Sequence, residues 1–156
     1  MNIGIDLDGV LTNFNEFCIN YGTKFASEIG KGKIINPKGY ESIEIFSWNK
    51  QTDLEFWEKY NLKYATEEEP RIFAKDVLNK LKEDGHKIYI ITARASEFAD
   101  IEAKEKMQGL VRKWFAKNEL YYDELIFSTV NKLENCRKNN IDVIIEDSPH
   151  NIKQLS

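Results

Sequence analysis

The residues of this 156-residue chain whose types and placement could do chemistry are Asp6-x-Asp8-Gly9, Thr92, Lys132 and the acidic pair Glu146-Asp147. An isolated Asp-x-Asp also occurs in calcium loops, but counting from Asp6 puts Val10 and Leu11 at the fifth and sixth positions and Phe17 at the twelfth. An EF-hand needs an acid or amide, a glycine and a glutamate at those places. Phosphoryl transfer fits better. Asp6 is a candidate nucleophile that would form an aspartyl-phosphate. Asp8, two residues on, is a candidate acid that protonates the departing oxygen and then activates water. An aspartate is ionised near neutrality, so Asp8 must sit in a dry or acid-crowded place, or its proton must arrive with the substrate. Gly9 lets the backbone turn tightly and aim amides at a phosphate.

Carboxylates facing a phosphate repel it, so a cation is required, and hard oxygen ligands on an open site select magnesium. The direct ligands are assigned as Asp6, the Asp8 carbonyl and Asp147. As one lysine in a lysine-rich chain, Lys132 by itself reads as a solvated residue at a helix start. Its place among the other candidates makes it the group that neutralises the phosphate and the nucleophile. Thr92 is common strand material, but at a strand end before the small Ala93 it becomes a hydroxyl donor.

The elements that must position these groups are short apolar runs at Asn2 to Leu7, Lys87 to Thr92, Glu124 to Ser128 and Ile141 to Glu146. Each reads as a buried strand of a sheet covered on both faces. Helical patterns lie between them. Phe73, Val77, Leu78 and Leu81 form a stripe in a helix from Arg71 to Asp84, opened by Pro70 and ended by Gly85. Met107, Leu110, Val111, Trp114 and Phe115 form the next stripe, and Leu133 with Cys136 marks a shorter helix. Strand and helix alternation predicts an α/β three-layer domain around a parallel sheet, with the candidates gathered at the carboxyl ends of the strands. Residues 14–69 break the pattern. They carry dense aromatics from Phe14 to Tyr64 and end in Glu67-Glu68-Glu69-Pro70, so they read as a mostly helical insertion after the first strand. The expected domains are a core of residues 1–13 and 70–156 and a helical cap of residues 14–69.

This constellation resembles the haloacid dehalogenase (HAD) superfamily of phosphatases. The first motif matches Asp6-x-Asp8-Gly9-Val10, the second Thr92, the third Lys132 and the fourth Glu146-Asp147, in order along nearly the whole chain. Within it, Asp8 to Phe14 (DGVLTNF), Ile91 to Arg94 (ITAR) and Ile145 to Asn151 (IEDSPHN) are similar to the 5′(3′)-deoxyribonucleotidase family and its bacterial relatives. The resemblance implies a Rossmann-like fold and release of phosphate from nucleoside monophosphates. It also implies that an aromatic residue after the first motif, here Phe14, lies against the base. Two departures stand out. Glu146 replaces the first aspartate of a common pair, so it is read as a support for Asp147, with Asn151 as a further orienting group. The chain stops at Ser156 where relatives continue into another strand, so the sheet is expected to lack an edge.

Ala93 and Arg94, following Thr92, are expected to reach substrate, an ion pair of Arg94 with acids such as Glu97 being the plainer alternative. Gly30-Lys31-Gly32-Lys33 fails the phosphate-loop pattern and reads as a turn of the cap. His86 reads as solvated, and His150 as a support near Asp147. A net charge of −4 excludes a nucleic-acid polymer as the main partner. No run approaches a membrane span, no secretory signal is evident, and Cys18 and Cys136 form no disulfide framework. A reducing, cytoplasmic location is expected, with a homodimer kept open. The expected function is that of a magnesium-dependent (deoxy)nucleotidase. A phosphatase for a phosphosugar or other small metabolite is the first alternative, and a catalytically silent binding domain the second. Asp6, Asp8, Thr92, Lys132 and Asp147 together argue against silence, and Asp8 argues against a dehalogenase, which has no leaving oxygen to protonate.

Overall fold

The computed structural model describes residues 1–129 and 131–155. They divide into two compact units, Met1–Thr12 with Glu69–Ser156, and Asn13–Glu68. The first unit is built on four parallel strands, β1 (Asn2–Ile5), β2 (Lys87–Thr92), β3 (Glu124–Phe127) and β4 (Val143–Ile145), in the order β3-β2-β1-β4. Its helices are α4 (Ala74–Glu83), α5 (Ile101–Lys117), α6 (Leu133–Lys138) and α7 (Pro149–Leu155). The period of two in the strands sorts the side chains. Ile3, Ile5, Ile88 and Ile90 pack with Leu78, Val111, Trp114 and Phe115 of α4 and α5. On the opposite face, Tyr89 and Ile91 meet Cys136 of α6, with Ile141, Ile144 and Leu155 against them. The result is the expected three-layer α/β arrangement.

The two central strands are buried as expected, but β4 is not. The register sets Val143 beside Ile3 and Ile145 beside Ile5, on the α4/α5 face, yet both are exposed. Burial on both faces therefore fails at this edge, where that face lacks a covering helix among the described residues. The helix expected from Arg71 begins at Ala74 instead. Pro70 pairs with Thr12, the Arg71 N–H donates to the Leu11 carbonyl at 2.7 Å, and Phe73 takes a left-handed φ of 69°, which together delay the helix by three residues. The predicted stripe is also narrower: Leu78 is buried, while Phe73 and Val77 are exposed.

The second unit holds α1 (Phe14–Ile29), α2 (Ser42–Ile45) and α3 (Lys50–Glu67). Gly30 ends α1 in the left-handed conformation, its N–H bonded back to Ser27, so the glycine-lysine stretch does form a turn. Phe17, Phe25, Phe46, Trp48, Phe56, Tyr60 and Tyr64 make this unit's own core. Two tryptophans are tied into it: Trp57 Nε1 donates to Ser42 Oγ at 2.8 Å, and Trp48 Nε1 to Asp53 Oδ1 at 3.0 Å.

Trp114 is 2 % exposed and stands edge-on to Phe115 at 5.2 Å. Trp114→Ala is expected to cost about 3–5 kcal/mol of stability, readable as a shift in the urea midpoint of metal-free protein.

Candidate active site

Every strand of the parallel sheet delivers residues to one rim, because parallel strands share a direction. β1 runs into Asp6 and Asp8, β2 ends at Thr92, β3 leads to Lys132 at the start of α6, and β4 leads to Glu146 and Asp147. Three of these residues, Asp6, Glu146 and Asp147, place carboxylate oxygens within 4.8 Å of one another.

Lys132 lies in their midst, 2 % exposed, with Nζ 2.7 Å from Asp6 Oδ1 and 2.8 Å from Glu146 Oε2. Asp6 Oδ1 also accepts the Leu7 N–H at 2.7 Å, which fixes the carboxylate's orientation. Glu146 is held at both oxygens, Oε1 by the Ser148 N–H at 3.0 Å and Oε2 by Lys132 and by Asn151 Nδ2 at 3.2 Å. One ammonium cannot balance three carboxylates, and the charges show where the excess falls. Burial pushes Glu146 up, but Lys132 and the Ser148 N–H outweigh it and hold its carboxyl below the usual value. Burial likewise works against the Lys132 ammonium, yet Asp6 and Glu146 keep it raised. Asp6 is pushed well up by burial, against the pull of Lys132, and Asp147 is pushed up to about 6 by burial and by Glu146. Asp6 and Asp147 are thus the carboxyls whose negative charge the metal-free site stabilises least.

These residues fit a divalent cation. Asp147 Oδ1 is buried with no hydrogen-bond partner among the described residues, and the donors are hard carboxylate oxygens. Gly9 makes the fit possible for a reason the sequence does not reveal. At φ 77° it is in the left-handed region, and a Cβ there would stand 1.7 Å from Asp147 Oδ2. Its own N–H is directed at Thr12 Oγ1 at 3.4 Å.

The loop after β2 departs from expectation. Arg94 is buried and pairs with Asp8, not Glu97: Nη2 binds Asp8 Oδ1, and Nε donates to Oδ2 at 3.3 Å. Asp8 is therefore in neither a dry nor a purely acidic setting. Thr92 is fully buried, and its Oγ1 accepts the Arg94 N–H at 3.1 Å. Half-buried Ala93 accepts the Ser96 N–H at 2.9 Å through its carbonyl. His150 is exposed and bonds Gln154 within its own helix, so it does not support Asp147. Half-buried Phe14 belongs to the second unit, stacked on Trp57 at 5.5 Å and edge-on to Tyr64 at 5.5 Å. Sequence reading passed over Arg71, whose Nη2 and Nε donate to the Gly9 and Thr12 carbonyls at 2.9 and 3.2 Å and pin the loop after β1. Only its place directly after Pro70 hinted at a structural task.

Comparison with known proteins bears on this rim. The whole chain, residues 1–156, matches the family described as 5′ nucleotidase, deoxy (Pyrimidine), cytosolic type C protein. The chain belongs to this family. It is 30% identical to a nucleotidase of Clostridium acetobutylicum over an alignment covering 100% of this chain and 75% of that one. Its fold is similar to that of a hydrolase from Streptococcus pneumoniae (TM-score 0.61, 16% identity, 97% of this chain and 85% of the other). A HAD-superfamily hydrolase from Ehrlichia chaffeensis is also similar (TM-score 0.52, 16% identity, 99% and 82%). The protein is thus a phosphatase of the nucleotidase family on a HAD-type α/β fold.

Because the Asp147 carboxyl titrates near pH 6 in metal-free protein, the folded chain holds a proton that the unfolded chain, at the ordinary value of 3.8, does not. Its contribution to stability therefore falls as pH rises from about 4 to about 6, and a cation restores it by displacing that proton. Divalent-cation affinity, followed by calorimetry, is expected to drop by roughly tenfold or more from pH 7 to pH 5. Asp147→Asn should lose most of the affinity, and an affinity independent of pH would contradict the assignment.

Proposed function

We propose that the protein is a magnesium-dependent phosphomonoesterase that releases phosphate from (deoxy)nucleoside 5′-monophosphates through an aspartyl-phosphate on Asp6. The observation that carries this reading is the Asp6 carboxylate, oriented by Lys132 and the Leu7 N–H beside the Asp147 carboxylate. Asp6, the Asp8 carbonyl and Asp147 would hold Mg2+, with Glu146 and Asn151 supporting them. The ion supplies charge neutralisation between these carboxylates and the phosphate.

An Asp6 oxygen attacks phosphorus as the bond to the nucleoside oxygen breaks, and Asp8 delivers a proton to that oxygen. With Asp8 facing Arg94, the proton arrives with the substrate. In the second half, Asp8 takes a proton from water as the water oxygen attacks phosphorus, returning Asp6 as a carboxylate and releasing inorganic phosphate. The Lys132 ammonium meets the phosphate's charge. The Thr92 hydroxyl, already accepting from Arg94, still has a hydrogen to donate to a phosphate oxygen. Ala93 and Arg94 flank that position in the same loop. The family's description supports a pyrimidine deoxynucleotide as substrate. A cytoplasmic location accords with the buried thiols of Cys18 and Cys136. Among the described residues no helix is long and apolar enough to cross a membrane.

The acid role of Asp8 is tested by Asp8→Asn. Turnover of a nucleoside monophosphate is expected to fall by roughly 10²–10⁴-fold, and that of p-nitrophenyl phosphate, whose leaving group needs little protonation, by much less. Equal losses would remove Asp8 from that role.

A second reading, a phosphatase for a phosphosugar or other small metabolite, is favoured by the packing of Phe14 against Trp57 and Tyr64. If Phe14 stacks on a nucleobase, Phe14→Ala should raise KM for a deoxynucleoside monophosphate by roughly fivefold to a hundredfold. KM for p-nitrophenyl phosphate should stay nearly unchanged. A folded variant with equal changes on both substrates would favour the second reading.

A further inference from the structure

The Asp6-x-Asp8 spacing puts a fourth carboxylate beside a cluster already rich in negative charge. The field of Asp8 is felt at both Asp6 and Asp147. Yet among the described residues the carboxylates that share a cation-sized space are those of Asp6, Glu146 and Asp147, without Asp8. The Asp8 carboxylate is turned to Arg94, which meets both of its oxygens, one from Nη2 and one from Nε. Two donors on a planar fork fix direction as well as distance, which a single ammonium does not.

The backbone is built to present this side chain. Arg94 N–H is bonded to Thr92 Oγ1 at 3.1 Å, and the Ser96 N–H closes a turn onto the Ala93 carbonyl at 2.9 Å. Between them Ala95 sits at φ 80° while only 1 % exposed. A non-glycine residue in the left-handed region is strained, and such strain persists only where surrounding structure imposes it. The side-chain surface of Arg94 is 5% exposed, so its charge is committed to the interior.

We propose that Arg94 is a positioning residue: its grip on both oxygens keeps the Asp8 carboxylate out of the cation-binding cluster and reserves it for proton transfer. The proposal rests on the reading of the site given above. Without the grip, Asp8 turns to the cluster and becomes an additional ligand. More carboxylate ligands bind a divalent ion more tightly, so the same change that tightens the ion removes the acid from the leaving group. Arg94 thus makes cation affinity and turnover move in opposite directions, which a merely structural arginine would not do.

The test titrates Mg2+ by calorimetry into metal-free wild type, Arg94→Gln, Arg94→Lys, Asp8→Asn and the Arg94→Lys/Asp8→Asn double variant, with kcat measured on the same preparations. Both Arg94 variants are expected to bind Mg2+ roughly fivefold or more tightly and to lose roughly tenfold or more in kcat. In the Asp8→Asn background, Arg94→Lys should leave affinity unchanged, because the carboxylate that would join the cluster is gone. Lysine keeps the positive charge, so a gain in Arg94→Lys does not come from removing a repulsion at a distance, and this variant also stands if Arg94→Gln fails to fold. Unchanged or weaker Mg2+ binding in folded Arg94 variants, or a gain that survives Asp8→Asn, would overturn the proposal. A wild type that binds no divalent cation but still turns over would overturn the site reading, and the proposal with it.

Discussion

A single buried ammonium organises this protein's rim. Lys132, 2 % exposed, binds Asp6 on one side and Glu146 on the other. A lysine so deeply placed is tolerated only because carboxylates meet it. Those carboxylates directly follow different strands, so the ion pairs require the ends of β1 and β4 to lie side by side and α6 to begin beside them. Three acids against one base also leave charge uncompensated on Asp6 and Asp147. On the function proposed above, a divalent ion and a phosphate are what would relieve that imbalance.

The supporting contacts sort the acids into different tasks. Glu146 has both oxygens engaged by Lys132, Asn151 and the Ser148 N–H, so it is the least free to move. Asp147, by contrast, has one oxygen lacking a partner among the described residues. Gly9 keeps the loop after β1 from colliding with it, and Arg71 pins that loop from the start of the following segment. Asp8 is held separately by Arg94. Four carboxylates within one small region thus differ in their freedom because their neighbours differ.

Much of this was legible in the sequence, for identifiable reasons. Strand–helix alternation and the parallel-sheet rule by themselves place Asp6, Thr92, Lys132 and Asp147 on one rim. The stripe of Met107, Val111, Trp114 and Phe115 is buried as its spacing implies. Local pattern failed where a distant contact decides the outcome. The helix after Pro70 starts late because Arg71 bonds to Leu11, some sixty positions earlier. Val143 and Ile145 look like core by composition but sit on an edge face that the register alone reveals. The pairing of Arg94 with Asp8 spans 86 positions, and nothing near Arg94 distinguishes that partner from Glu97. The second role of Gly9 is likewise invisible until Asp147 is seen beside it.

The central claim is that Asp6, oriented by Lys132, carries the phosphoryl group between substrate and water. It is tested most directly by quenching the enzyme in acid during turnover of a deoxynucleoside monophosphate, reducing with borohydride, and mapping the peptides by mass spectrometry. An acyl phosphate is reduced to the alcohol, so the account predicts homoserine at position 6, dependent on substrate and on Mg2+. Homoserine at position 8, or turnover with no reducible aspartyl group at any position, would contradict it.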